Sequence, residues 1–268
     1  MTMSGENRNA RDQVPAPPDA QRAWSTSVDL RTPDGTMDCR VFSPPGDQRW
    51  PAVVFYFDAF GIRPDACDMA IRLAGYGYVV AMPNLYYRTG AFSPFSAATA
   101  FKDPSERERL TTLIRSIDNA KVMRDTDAIL RFLAGHASVR SDRVGCVGYC
   151  LGGQFALSAA GTFPNRVAAA ASIHGVALAT DRPDSPHLLL NRTRAQLYIA
   201  VAEVDSDFLP AEAATLNAAL EKAGASHAME IYPGTKHGFA VNGRLVYDRN
   251  AAERTWQRLA ELFGGALQ

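Results

Sequence analysis

Val144-Gly145-Cys146-Val147-Gly148-Tyr149-Cys150-Leu151-Gly152-Gly153 is the stretch whose reading decides the fold. Small and β-branched residues climb to Gly148, and Cys150 stands between Gly148 and Gly152. Gln154-Phe155-Ala156-Leu157-Ser158-Ala159-Ala160 then runs on like a helix. Strand, sharp turn and helix form the G-x-S-x-G nucleophile elbow, with cysteine in place of serine. A turn this tight leaves no room for a Cβ two positions before or after its apex, hence the glycines. The helix that starts beneath the sulfur offers its free N–H groups and the positive end of its dipole to a thiolate. The plain alternative is a glycine-rich packing turn around a structural cysteine.

Working outward, 268 residues suit one large α/β domain or two small ones. Lys+Arg and Asp+Glu both number 28, so no basic excess points to nucleic acid and no acidic excess to a solvating tail. Hydrophobic residues make up 47%, enough for a sizeable core. Cys39, Cys67, Cys146 and Cys150 have no metal-type spacing and no histidine partners at zinc distance, so neither a metal site nor a cofactor is expected. No window approaches the ~20 apolar residues of a membrane span, and a reduced cytoplasm is the expected compartment. Residues 1–21 are polar and carry Pro15, Pro17 and Pro18, which reads as a disordered leader before a single domain over residues 22–268.

Within that domain, Val28 and Leu30, then Met37, Cys39 and Val41, alternate around the turn Pro33-Asp34-Gly35, which predicts an antiparallel hairpin. Beyond it the pattern changes to buried apolar runs separated by helical stripes. Strands are expected at 52–57, 78–82, 144–147, 167–173, 197–202 and 229–232. Helices are expected at 65–75, from a Ser105-x-x-Glu108 capping box onward, after Cys150, around Leu216 and Leu220, and from Ala252 to Phe263. Strands alternating with helices mean one open, mostly parallel sheet with helices on both faces, in a single α/β domain.

Ligands of such sheets bind beyond the carboxyl ends of the strands. That rule selects Asp58, Asn84, Cys150, His174, Asp205 and His237. A nucleophile needs a base in reach, and the base needs a carboxylate to orient it. His237 lies between Gly234 and Gly238 after the last strand, and Asp205 follows the strand before it, with Asp207 as its competitor. The chain order Cys, Asp, His is that of the α/β-hydrolase triad. His136 and His227 read as solvated, and His187, beside Pro186, as structural. His174 reads equally as a pocket residue or as a core or rim histidine.

Four segments resemble the dienelactone hydrolase family, a cysteine-dependent branch of the α/β-hydrolase fold. They are Gly148-Tyr149-Cys150-Leu151-Gly152-Gly153, Phe57-Asp58-Ala59-Phe60-Gly61, Pro83-Asn84-Leu85-Tyr86-Tyr87-Arg88 and Lys236-His237-Gly238-Phe239. The resemblance implies Cys150 as nucleophile, His237 as base and Asp205 as orienter, with backbone N–H groups of Leu151 and Ala59 as the oxyanion hole. It also implies that Arg88 binds a substrate carboxylate, with Tyr86 beside it, and that the acid at Asp58 modulates the resting thiol. Two positions depart from the family. Asp58 replaces a glutamate, and Val241 stands where a second arginine is usual, with Arg244 three residues on as its substitute.

Sulfur chemistry narrows the substrate. The tetrahedral intermediate expels whichever group leaves better, and a thiolate of pKa ~8.5 leaves far more readily than an alkoxide. An enol ester or enol lactone leaves as a stabilised enolate, so an activated ester or lactone, anionic or neutral, is expected rather than a lipid ester or a peptide. The alternatives are a non-catalytic small-molecule binder of the same fold and a redox-sensing thiol protein. No nucleic-acid or membrane partner is expected, and the protein is expected to be a monomer or a dimer.

Overall fold

Val167–Ile173 is buried at all seven positions, and Val79–Pro83 at all five. Strands buried on consecutive residues are covered on both faces, the mark of a parallel sheet between helical layers. The computed structural model describes residues 24–96 and 99–267, so the leader expected over residues 1–21 lies outside the described residues.

The chain forms β1 (Trp24–Thr32), β2 (Gly35–Ser43), β3 (Trp50–Tyr56), α1 (Pro64–Gly75), β4 (Val79–Pro83), α2 (Pro104–Ser116) and α3 (Asn119–Gly135). It continues with β5 (Val139–Tyr149), α4 (Leu151–Thr162), β6 (Val167–Ile173), β7 (Gln196–Val204), α5 (Pro210–Ala223), β8 (His227–Lys236) and α6 (Arg249–Ala266). One eight-stranded sheet results, in the order β1-β2-β4-β3-β5-β6-β7-β8. β1 pairs antiparallel with β2 and β2 with β4, while the remaining pairs are parallel. The hairpin is therefore stitched to the edge of a parallel sheet, and β5 lies inside it between β3 and β6.

Two local expectations are corrected. The helix expected to start at a Ser105–Glu108 box starts at Pro104, capped by Asp103, whose carboxylate accepts from the N–H groups of Ser105 and Glu106 at 2.9 Å each. Proline at the first position sacrifices no hydrogen bond, and the short aspartate reaches both free amides. The helical stripe expected to run on is also broken, since Ile117 leaves the helix and Asp118 caps α3 through Lys121 N–H at 2.8 Å. No helix among the described residues is long and apolar enough to cross a membrane.

Candidate active site

Cys150 has φ 52° and ψ −117°, a backbone region that L side chains rarely enter. Its surroundings leave it no alternative. Its N–H donates to Ile173 O at 3.1 Å, and its carbonyl accepts from Gly153 and Val176 N–H groups at 3.0 and 3.3 Å. A Cβ on Gly148 would lie 2.0 Å from the Gly152 carbonyl oxygen, and one on Gly152 would lie 2.3 Å from that of Tyr56. Neither glycine is needed for positive φ. Both are needed because backbone passes where a side chain would stand.

Two loops at the same edge of the sheet answer the sulfur. His237, at the end of β8, places Nε2 3.1 Å from Cys150 Sγ. Its Nδ1–H donates to Asp205 Oδ2 at 2.8 Å, after β7. Asp205 Oδ1 accepts from Asp207 N–H at 2.9 Å, so Asp207 contributes its backbone while its own side chain is exposed. Burial works against a charge on His237, but its hydrogen bonds to Asp205 and Cys150 outweigh it and push its pKa up to about 10. The Leu151 and Ala59 N–H groups donate to no protein group among the described residues. Asp205, Asp207 and His237 also form a group that could hold a metal ion, though both ring nitrogens of His237 are already hydrogen-bonded, to Asp205 and Cys150.

Of the two readings of His174, the structure fits the core one: the residue is 1% exposed, with φ 38°. Its ring meets His237 edge to face at 5.2 Å and also packs on Tyr149 and Phe239. Both ring nitrogens are buried without a partner among the described residues. Burial, then the positive charge of His237, hold its pKa well below the usual value, so it backs His237 as a neutral ring.

The family-implied role of Asp58 is likewise corrected. Its carboxylate takes two hydrogen bonds from Arg63, at 2.6 and 2.8 Å, and one from Arg244 at 3.0 Å. Phe60 N–H adds a fourth at 3.1 Å. Its lone pairs serve guanidinium groups instead of turning to the thiol. Both guanidinium groups flank the Phe60 ring, Arg244 at 4.2 Å and Arg63 at 5.3 Å from its centroid. Arg244 Nε is buried and has no partner among the described residues. Arg63 was missed in the sequence, although an acid and an arginine five residues apart across Gly61 were a usable signal.

Arg88 is corrected outright. Its guanidinium is spent on Asp125, at 2.9 and 2.7 Å, and on Asp34, at 3.1 and 2.7 Å, and it stacks on Tyr87. Asp125 is wholly buried on α3, so Arg88 ties the β1–β2 turn to the helical layer and spends four of its five N–H donors on these two carboxylates. Tyr86 is corrected too, being fully buried with its hydroxyl donating to Ala59 O at 3.0 Å, where it steadies the turn that carries the Ala59 amide. Asn84 donates its side-chain amide to Asp38 at 2.9 Å and lies apart from the sulfur.

Sheet order, cysteine elbow and the two answering loops are those of the α/β-hydrolase fold. Within it the chain belongs to the dienelactone hydrolase family, whose model matches residues 37–267, and it is a hydrolase. It is 29% identical over 233 residues to a Bradyrhizobium sp. protein named "Probable 2-oxo-3-(5-oxofuran-2-ylidene)propanoate lactonase", covering 85% of this chain and 89% of that one. It is 27% identical over 226 residues to a Synechocystis sp. protein named "Putative carboxymethylenebutenolidase", covering 82% of this chain and 88% of that one. In structure it is similar to a protein described as "Putative Dienelactone Hydrolase" from Klebsiella pneumoniae, with a TM-score of 0.78 at 23% identity over 90% of this chain and 98% of that one.

Proposed function

We propose that this protein hydrolyses activated carboxylic esters or enol lactones through a thioester on Cys150. The observation that carries the reading is His237, with one ring nitrogen 3.1 Å from Cys150 Sγ and the other 2.8 Å from Asp205. Asp205 sets the tautomer and ring orientation and stabilises the imidazolium. The proton shared by Cys150 and His237 rests on His237, and the sulfur adds to the substrate carbonyl carbon as the carbonyl π electrons move to oxygen. The Leu151 and Ala59 N–H groups hold the resulting oxyanion. Collapse re-forms the carbonyl and breaks the bond to the enol oxygen, which receives the proton from His237. His237 then takes a proton from water, and the hydroxide attacks the thioester. The thiolate leaves, the carboxylic acid is released, and a proton returns to the Cys150–His237 pair.

The names of the Bradyrhizobium and Synechocystis relatives support a lactone substrate.

The test is intact-mass analysis during turnover of p-nitrophenyl acetate. A burst of one nitrophenolate per chain, with one acetyl group on Cys150 and no reaction after alkylation with iodoacetamide, is expected. Undiminished turnover after alkylation of Cys150 would overturn the reading.

A further inference from the structure

We propose that the substrate extends beyond the reacting ester and that its far end, an aromatic ring bearing a carboxylate, lies in a second cleft against Arg40. This rests on the hydrolase reading above. The cleft has a volume of about 470 Å³ and lies between β2, the turn after β3 and the segment at residues 90–95. That volume suits a small organic group.

Its position links it to Cys150. Asn84 N–H, at the end of β4, donates to Asp38 O of β2 at 2.9 Å, so this part of β2 lies at the carboxyl edge of the parallel strands. In the sheet order, β4 and β3 separate β2 from β5. Neighbouring strands are ~4.8 Å apart, so the cleft runs from about one to about three strand spacings from the strand that ends at Cys150. Its near wall, Phe60 and Arg63, directly follows Ala59. The cleft therefore opens at the same sheet edge as the elbow, with Phe60 next in the chain to Ala59.

The lining selects the chemistry. Phe92 and Phe95 stand with ring centroids 6.0 Å apart, and Phe95 stacks on Phe60 at 6.3 Å, an apolar wall for a flat ring. Arg40 is exposed on the β2 side, and its Nη1 donates only to the Cys67 sulfur at 3.3 Å. No carboxylate pairs with it among the described residues. Asp38, on the same face, is engaged by Asn84. An open guanidinium beside an aromatic wall is a receptor for an aryl carboxylate.

The test compares three p-nitrophenyl esters in the wild type, Arg40→Ala and Arg40→Lys. They are the acetate, the 3-(4-carboxyphenyl)propanoate, and the same propanoate with its benzoate methylated. We expect the wild-type kcat/KM to favour the free benzoate over its methyl ester by ~10-fold or more. That ratio should fall about tenfold in Arg40→Ala and recover in part in Arg40→Lys. Calorimetry with free 3-(4-carboxyphenyl)propanoic acid should show binding to the wild type at least ~10-fold tighter than to Arg40→Ala. An unchanged ratio in Arg40→Ala, equal binding by both proteins, or binding that does not compete with hydrolysis would overturn the proposal. Failure of the wild type to turn over the acetate would strike the hydrolase reading alone, and calorimetry would still decide the cleft.

Discussion

Arg63 grips Asp58 with two parallel hydrogen bonds, 2.6 and 2.8 Å long, on a carboxylate whose side chain is only 2% exposed. Burial alone would raise the pKa of Asp58, but Arg63 and Arg244 outweigh it, and the carboxyl titrates below its ordinary value. A lowered folded-state value stabilises the protein above the unfolded pKa of ~3.9, and that contribution is lost as pH falls through the folded value. Asp58→Asn should therefore flatten the decline of unfolding free energy between about pH 5 and pH 2. Parallel curves for the two proteins in urea titrations would refute the assignment.

His237 is held protonated up to a pKa of about 10 by Asp205 and Cys150 acting against burial. Removing the negative charge of Asp205 must lower that value, because one of the two supports of the imidazolium disappears. Asp205→Asn should show His237 titrating at distinctly lower pH by NMR. Its kcat/KM should drop by ~10³-fold or more. If His237 titrates alike in both proteins, Asp205 is not its electrostatic partner.

Cys150→Ala should abolish turnover and leave the fold intact, and a comparison with Cys150→Gly isolates the strain. Both variants lose the sulfur, but only alanine keeps a Cβ at φ 52°. Such backbone strain costs of order 1–3 kcal/mol, against roughly 0.5–1 kcal/mol for the greater freedom of glycine in the unfolded chain. Cys150→Gly should be at least as stable as Cys150→Ala in thermal melts. A clearly lower Tm for the glycine variant would show that the turn stores no strain.

Gly148→Ala and Gly152→Ala should each destabilise by about 3 kcal/mol or more, at the upper end of overpacking costs, because the clashing atoms are backbone and cannot swing aside. Chemical denaturation measures this directly. A loss within ~0.5 kcal/mol for either would mean that the elbow relaxes freely.

Arg88→Ala leaves Asp125 buried and unpaired, which typically costs about 3–5 kcal/mol. Activity losses should be equal on anionic and neutral esters, and the double variant Arg88→Met/Asp125→Leu should recover most of the stability. A loss confined to anionic substrates would return Arg88 to the binding site.

Much of this was legible along the chain because its causes are local in sequence. Alternation around Asp34-Gly35 set the hairpin, and the run 167–173, apolar but for Ser172, set β6 to the residue. The elbow was readable because two glycines flank Cys150 for a steric reason that any tight strand-to-helix turn shares. The preference for Asp205 over Asp207 came from its distance to the end of β7, and the ring of His237 meets it there.

What only the tertiary structure decided is where long charged side chains end. Arg88, Arg63, Arg244 and Arg40 each span several ångströms on flexible stems, so sequence neighbours say little about their partners. Arg88 finds Asp34 and Asp125, 54 and 37 residues away, and Arg244 reaches back 186 residues to Asp58. His174 was placed at a strand end by its sequence, but only the packing of Tyr149, Phe239 and His237 around it made it a buried neutral ring. Periodicity and turn chemistry act over a few residues and specify the scaffold and the elbow that carries Cys150. Charge pairing acts through space, and it exists only once the sheet has brought distant segments to one edge.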